Sequence, residues 1–262
     1  MPIATAPPSA TGAGSARVWV TCRPYPSGGE APRSRDVGAR GYADGMCASY
    51  GLDPRFSDAE LLAAADESVL EGLRLWAQEN AGETVRPTGK NLRNLNPIVV
   101  RPEEAPTLEP AWWGFLVGGE PAKFPSINTR SERLQERPGS LRSRAIVPAT
   151  SWYEMQKPSR QWHQFLVDDG ALFGMAAVTQ RGKTSDGTWF TCYSIIMRPA
   201  PAHLTGVHDR MPVLIPTTFA QDWLTAEGGR DVIDEALLAA ASLDDRVAAI
   251  PRGDDKNEDR LF

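Results

Sequence analysis

The residue with the most distinctive chemistry in this chain is a cysteine placed directly after a methionine, Met46-Cys47. If translation starts at Met46 and that methionine is trimmed, Cys47 carries a free α-amine and a thiol on adjacent carbons. Such a 1,2-aminothiol condenses with an aldehyde to a five-membered thiazolidine. An internal cysteine cannot do this, because its nitrogen is held in an amide. An α-amine titrates near about 7.7–8.0 and a thiol near about 8.5, so both are partly deprotonated at neutral pH. Three polar clusters follow far downstream: Asn128-Thr129-Arg130, Trp152-Tyr153-Glu154 and His208-Asp209-Arg210-Met211-Pro212. Taken one at a time, these are the residues of turns and surface ion pairs, with His208 a loop histidine bonded to Asp209. Their meaning lies in the set.

The elements that must position them read as follows. Residues 1–45 are crowded with Pro, Gly, Ala, Ser and Arg and hold one apolar cluster, Val18-Trp19-Val20. Such a segment cannot bury enough surface to offset its ordering entropy. It is expected to be a disordered extension or sequence upstream of the true start, with residues 46–262 forming a single domain. Ser57-Asp58-Ala59-Glu60 is a capping box, and Leu61, Leu62, Ala65, Val69, Leu73 and Trp76 recur at helical spacing behind it. Short strands are expected at 97–100, 113–116, 145–148, 164–167, 172–175 and 190–196, each bounded by Gly, Pro or charge. Helices are expected at 217–224 and 232–241. Many short strands without strict alternation with helices predict an α+β fold, a strongly curved and mostly antiparallel sheet (a half-barrel) with flanking helices.

Bulk properties narrow the function. Net charge is −5, so nucleic-acid contact needs a local basic patch rather than a basic molecule. Arginines 130, 133, 137, 142 and 144 stand against Glu132 and Glu136, which makes such a patch. Cys22, Cys47 and Cys192 are odd in number and widely spaced, unlike a disulfide framework, and Cys192 is expected to pack as a small apolar side chain. The three histidines lack metal-ligand spacing, so no metal and no cofactor are expected. No apolar run is long enough to cross a bilayer, and the start lacks a secretory signal. A cytoplasmic setting and a monomer are the expectation.

Met46-Cys47, Trp113-Gly114-Phe115, Asn128-Thr129-Arg130-Ser131-Glu132, Pro148-Ala149-Thr150-Ser151-Trp152-Tyr153-Glu154 and His208-Asp209-Arg210-Met211-Pro212 occur in that order. This order is similar to that of the SOS response-associated peptidase (SRAP) family of abasic-site processing proteins, over Met46 to about Leu224. The resemblance implies a suicide-type DNA repair protein. Its terminal cysteine traps the ring-opened aldehyde of an abasic site in single-stranded DNA as a thiazolidine crosslink, shielding the lesion. Carried over by motif, the catalytic residues are Cys47, Asn128, Glu154 and His208. Elementary chemistry agrees with those roles. A carboxylate beside Trp152 and Tyr153 is suited to shuttle the protons that ring closure moves. His208 can protonate the sugar hydroxyl, and Asn128 can orient the Cys47 amine without bringing charge. Arg130, Arg210, Arg86 and Arg144 are expected to hold DNA phosphates, and Pro87 resembles the family's proline that packs on a base next to the lesion.

The chain departs from the family pattern in three places. The start reads Cys47-Ala48-Ser49-Tyr50 where Cys-Gly-Arg-Phe is usual, leaving Arg55 or Arg86 to replace the arginine. Gly118-Gly119-Glu120 stand where stacking tryptophans are common. The 45-residue extension would leave Cys47 without a free amine. Two other readings stay open. One is a thiol peptidase with Cys47 as nucleophile and His208 as base, which could remove residues 1–46 itself. The other is a non-catalytic single-strand binding module. Strand scission at the lesion through a Schiff base on the same amine is a companion activity.

Overall fold

Alternation along the strands explains which faces are covered. In Trp162–Val167, His163, Phe165 and Val167 are buried while the residues between them are half-buried, as in a strand with one covered face. In Arg144–Ala149 every residue is buried, as in a central strand covered on both faces. The computed structural model describes residues 49–56, 67–80, 95–101, 105–117, 120–121, 126–141, 143–183 and 187–253. The chain divides into units Met1–Gly41 and Tyr42–Phe262, and all described residues lie in the second. The extension over 1–45, Cys47, the capping box at 57–60, Arg86, Pro87, Arg142 and Gly118-Gly119 lie outside the described residues.

Strands and helices follow in the order β1 (Tyr50–Gly51), α1 (Glu67–Glu79), β2 (Leu95–Val100), β3 (Thr107–Trp113), β4 (Leu116–Val117), β5 (Glu120–Pro121), β6 (Asn128–Arg130), α2 (Ser131–Glu136), β7 (Arg144–Ala149), β8 (Ser151–Met155), β9 (Trp162–Val167), β10 (Phe173–Lys183), β11 (Trp189–Pro199), β12 (Arg210–Pro212), β13 (Leu214–Ile215), α3 (Thr217–Thr225), α4 (Arg230–Ala241) and β14 (Val247–Pro251). The α+β class and the mostly antiparallel pairing expected from the sequence hold. The larger sheet closes further than a half-barrel, because β11–β3–β2–β7–β10 return to β11 through the β10–β11 hairpin, forming a five-strand ring. Among the described strands only β3 and β6 run parallel to β11. A smaller sheet, β1–β8–β9–β14, packs its inner face against the same core.

Neighbouring residues on each ring strand go to opposite cores. Ile98, Val147, Ala177 and Ile195 join Trp113, Tyr193, Trp152 and Phe165 on the inner side. Val99, Ile146, Val178 and Ile196 join Leu73 of α1, Trp223 of α3 and Ile233 of α4 on the outer side. Each such large apolar side chain contributes about 1.5–3 kcal/mol when fully buried. Helix α1 lies close on β3, since a Cβ at Gly72 would stand 2.7 Å from Leu108 Cδ1. One expected strand is cut in two. Gly114 takes φ 100°, so β3 ends at Trp113 and the chain turns before Phe115.

Candidate active site

Strand β8 places Trp152 and Glu154 on one face by the two-residue period. Trp152 is fully buried in the inner core, stacked on Phe165 with centroids 5.0 Å apart and edge-on to Phe173 at 5.7 Å. Glu154 follows it into the interior with only 2% of its surface exposed. A buried carboxylate is costly unless polar groups meet it, and an imidazole does so here. His208 Nε2 lies 3.9 Å from Glu154 Oε2, and the histidine is itself 9% exposed.

The turn-rich segment between β11 and β12 carries His208. It is closed by bonds from the Ala200 N–H to the Asp209 carbonyl and from the His208 N–H to the Leu204 carbonyl. The Gln156 side-chain amide, just after β8, donates to the Gly206 carbonyl at 2.7 Å and ties this segment to the strand of Glu154. The Arg210 N–H points to His208 Nδ1 at 3.1 Å. The same nitrogen lies 3.2 Å from the Arg210 carbonyl, so the backbone of Arg210 holds the ring and leaves Nε2 facing Glu154. The Asp209 carboxylate also stands 3.4 Å from Nδ1, the partner expected for a loop histidine, but its side chain is 80% exposed. The geometry thus adds a buried carboxylate to the surface contact.

Asn128 lies on β6 in register with Ile195, an inner-core residue, so it shares the inner face. Strands β6 and β12 flank the same end of β11, with Arg130 and Pro212 both in register with Met197. The two motifs are also joined by charge: Arg210 Nη1 meets Glu132 Oε1 at 2.6 Å. Burial pushes the Glu132 carboxyl up, but its own backbone N–H and the Arg210 guanidinium outweigh this and hold it below the usual carboxylate range. The described chain begins beside the site. The Ser49 carbonyl accepts the Tyr153 N–H at 3.0 Å, and Tyr50 is in register with Trp152, three residues after Cys47.

With this arrangement in hand, a profile of the family described as SOS response associated peptidase (SRAP) matches residues 46–251. The chain belongs to this family.

Relatives of this SRAP chain include the abasic site processing protein YoaM of Bacillus subtilis, 27% identical over 147 residues. That alignment covers 52% of this chain and 64% of the relative, a little under two thirds of its length. The abasic site processing protein YedK of Escherichia coli is 29% identical over 130 residues, covering 46% of this chain and 56% of that protein. Two crystal structures share the fold. A protein from Bordetella bronchiseptica has a TM-score of 0.52 at 19% identity, over 79% of this chain and 100% of that one. One from Bacteroides thetaiotaomicron reaches 0.56 at 17% identity, over 81% of this chain and 94% of that one.

The arginines of the expected DNA patch fare differently in the SRAP fold. Arg130 is exposed at the end of β6 and makes no ion pair among the described residues. Arg210 is held by Glu132, so a phosphate would have to share it. Arg144 does not fit the phosphate role. It is buried, stacks over the Trp223 ring at 5.5 Å, and donates to the carbonyls of Leu141, Trp223 and Ala226. Burial pulls its pKa down, and the side chain clamps α3 to β7.

Sequence reasoning assigned no role to Glu132, although it stands within the Asn-x-Arg-Ser-Glu motif. It also missed a buried polar chain. The Tyr50 and Tyr193 hydroxyls lie 2.8 Å apart, and the Asn96 side-chain amide donates to Tyr193 at 3.1 Å. The signal was Tyr50 itself, a hydroxyl-bearing ring at a position where the family usually has phenylalanine. Among the described residues no group of three or more His, Cys, Asp and Glu side chains could hold a metal, and no helix is long and apolar enough to cross a membrane.

Proposed function

We propose that this chain processes abasic sites in single-stranded DNA by forming a covalent crosslink through Cys47. The carrying observation is the buried Glu154 carboxylate with His208 Nε2 facing it at 3.9 Å. The entry of the chain at Ser49, bonded to the neighbour of Glu154, supports a nucleophile close by. The names of the relatives support the lesion as substrate.

The chemistry balances as one aldehyde, one amine and one thiol giving a thiazolidine and one water. The Cys47 amine attacks the carbonyl carbon of the opened sugar, the carbinolamine loses water, and the thiol adds to the imine. Glu154 receives and returns the protons in these steps, sheltered from bulk water by Trp152. His208 donates to the sugar hydroxyl, while Asn128 orients the amine from the inner face of β6. Arg130 engages a flanking phosphate. The same Schiff base allows strand scission. Self-cleavage before Cys47, in keeping with the family's description as peptidases, would expose the amine.

The test incubates protein beginning at Cys47 with a single-stranded oligonucleotide bearing one abasic site, followed by a denaturing gel. A slower protein–DNA band is expected, lost in Cys47→Ala and slowed in Glu154→Gln. Equal bands in all three lanes overturn the reading. The mass of the protein purified from its native host reads the amine directly: a polypeptide starting at Cys47 is required.

A further inference from the structure

The outer face of β6 is a different environment from the inner one. A cavity of about 390 Å³ opens there between β6, α2, the turn at Gly139 and β10. Its wall includes Phe115, Thr129, Arg133, Ser143, Thr179 and Gln180, with Leu134 and Val178 at its apolar floor. Among the described residues no carboxylate lines it, and Arg133 is the cation of that lining. Arg133 is exposed and makes no ion pair among the described residues.

We propose that this cavity is a second ligand site, which takes a nucleoside monophosphate unit. A guanidinium with hydroxyls around it suits the two-pronged recognition of a phosphate. The Phe115 ring, Leu134 and Val178 supply apolar surface for a base, and the Gln180 amide both donates and accepts at a base edge. The volume falls within the range of small-molecule sites, about 300–1,000 Å³. A metal cation or an amine would find no carboxylate among the described lining residues. A wholly apolar compound would strip water from Arg133 and from the hydroxyls of Ser126, Ser143 and Thr179 without replacing their bonds.

The placement gives the site a use. Thr129 follows Asn128 on β6, so the cavity and the candidate active site are the two faces of one strand. Among the described residues β6 pairs with β11. The Thr129 hydroxyl is bonded to that of Ser194 at 2.8 Å, anchoring the cavity wall to β11. The monophosphate can therefore come from a free nucleotide or from a DNA strand that passes from one face of β6 to the other. The second source rests on the function proposed above, and the first does not.

Calorimetric titration of the full chain with thymidine 5′-monophosphate, thymidine and inorganic phosphate tests the site. The monophosphate should bind at least about tenfold more tightly than either of the other two, since only it fills both halves of the cavity. Arg133→Gln should weaken it about tenfold, while Arg230→Gln, an exposed charge on α4 outside the lining, should leave it unchanged. A lesion-free oligothymidylate distinguishes the sources: a loss confined to the free monophosphate means a nucleotide pocket, and a parallel loss for the oligonucleotide means a strand subsite. The proposal fails if Arg133→Gln alters neither titration, or if inorganic phosphate binds as tightly as the monophosphate. Absence of the crosslink band with intact monophosphate binding would sink the proposed function and leave this site standing.

Discussion

On the inner face of β6, Asn128 sits beside Ile195, and across the core a carboxylate and an imidazole are both almost out of reach of water. On the outer face, one residue along, Thr129 opens onto a cavity where Arg133 remains exposed. The inner face removes solvent from a few titratable groups and holds them by the register of β8 and by the bonded turns around His208, which suits proton transfer. The outer face keeps its charge in water and offers shape and hydroxyls, which suits binding without chemistry. Arg144 and Arg133 repeat the contrast within one basic run. The first is spent on three backbone carbonyls, and the second stays available to a ligand.

Substitutions can break this contrast, beginning with the largest effect. Glu154→Gln keeps the shape and removes the base, so the rate constant for crosslink formation should fall about 100-fold in a quenched time course. An unchanged rate would make the inner face merely structural. Arg144→Met strips donors from three buried carbonyls and should lower unfolding free energy by about 3 kcal/mol in a urea titration. Lesion-free DNA affinity should not move, and a weakened affinity would return Arg144 to the phosphate-binding surface. Arg130→Gln should weaken single-stranded DNA binding several-fold and flatten the slope of log affinity against log salt by about 0.7, the value of one phosphate contact.

The smallest effect sharpens the border between the two faces. Glu132, tied to Arg210, has a lowered folded-state pKa. Its stabilisation is therefore complete above the ordinary carboxylate value of 4.5 and is lost as pH falls through the lowered one. Wild type and Glu132→Gln should differ by no more than about 1 kcal/mol at neutral pH, because the pair is partly exposed. Their unfolding midpoints should converge in acid, and a gap that widens there would reverse the assigned sign.

Strands such as β7, β9 and β11 were legible because a two-residue period or a continuous apolar run is a local property of the chain. β1, β6, β12 and β13 are two or three residues long and were not, since such a span holds no period to read. They are strands because β8, β10 and β11 offer them an open edge. Trp113-Gly114-Phe115-Leu116 looked like one apolar strand, but the positive φ of Gly114 splits it. Glu154 and His208 could be named from their motifs. Their separation, and the hold of the Arg210 backbone on the imidazole, needed the tertiary structure.

From residue types and order alone came the family likeness, the α+β class and the candidate groups, because those depend on chemistry carried by short segments. Whether the sheet closed, and which arginine met a carbonyl, a carboxylate or open water, was settled only by packing. Those outcomes join residues as distant as Arg144 and Ala226 or Glu132 and Arg210. No local pattern encodes a contact between segments brought together only when the ring shuts.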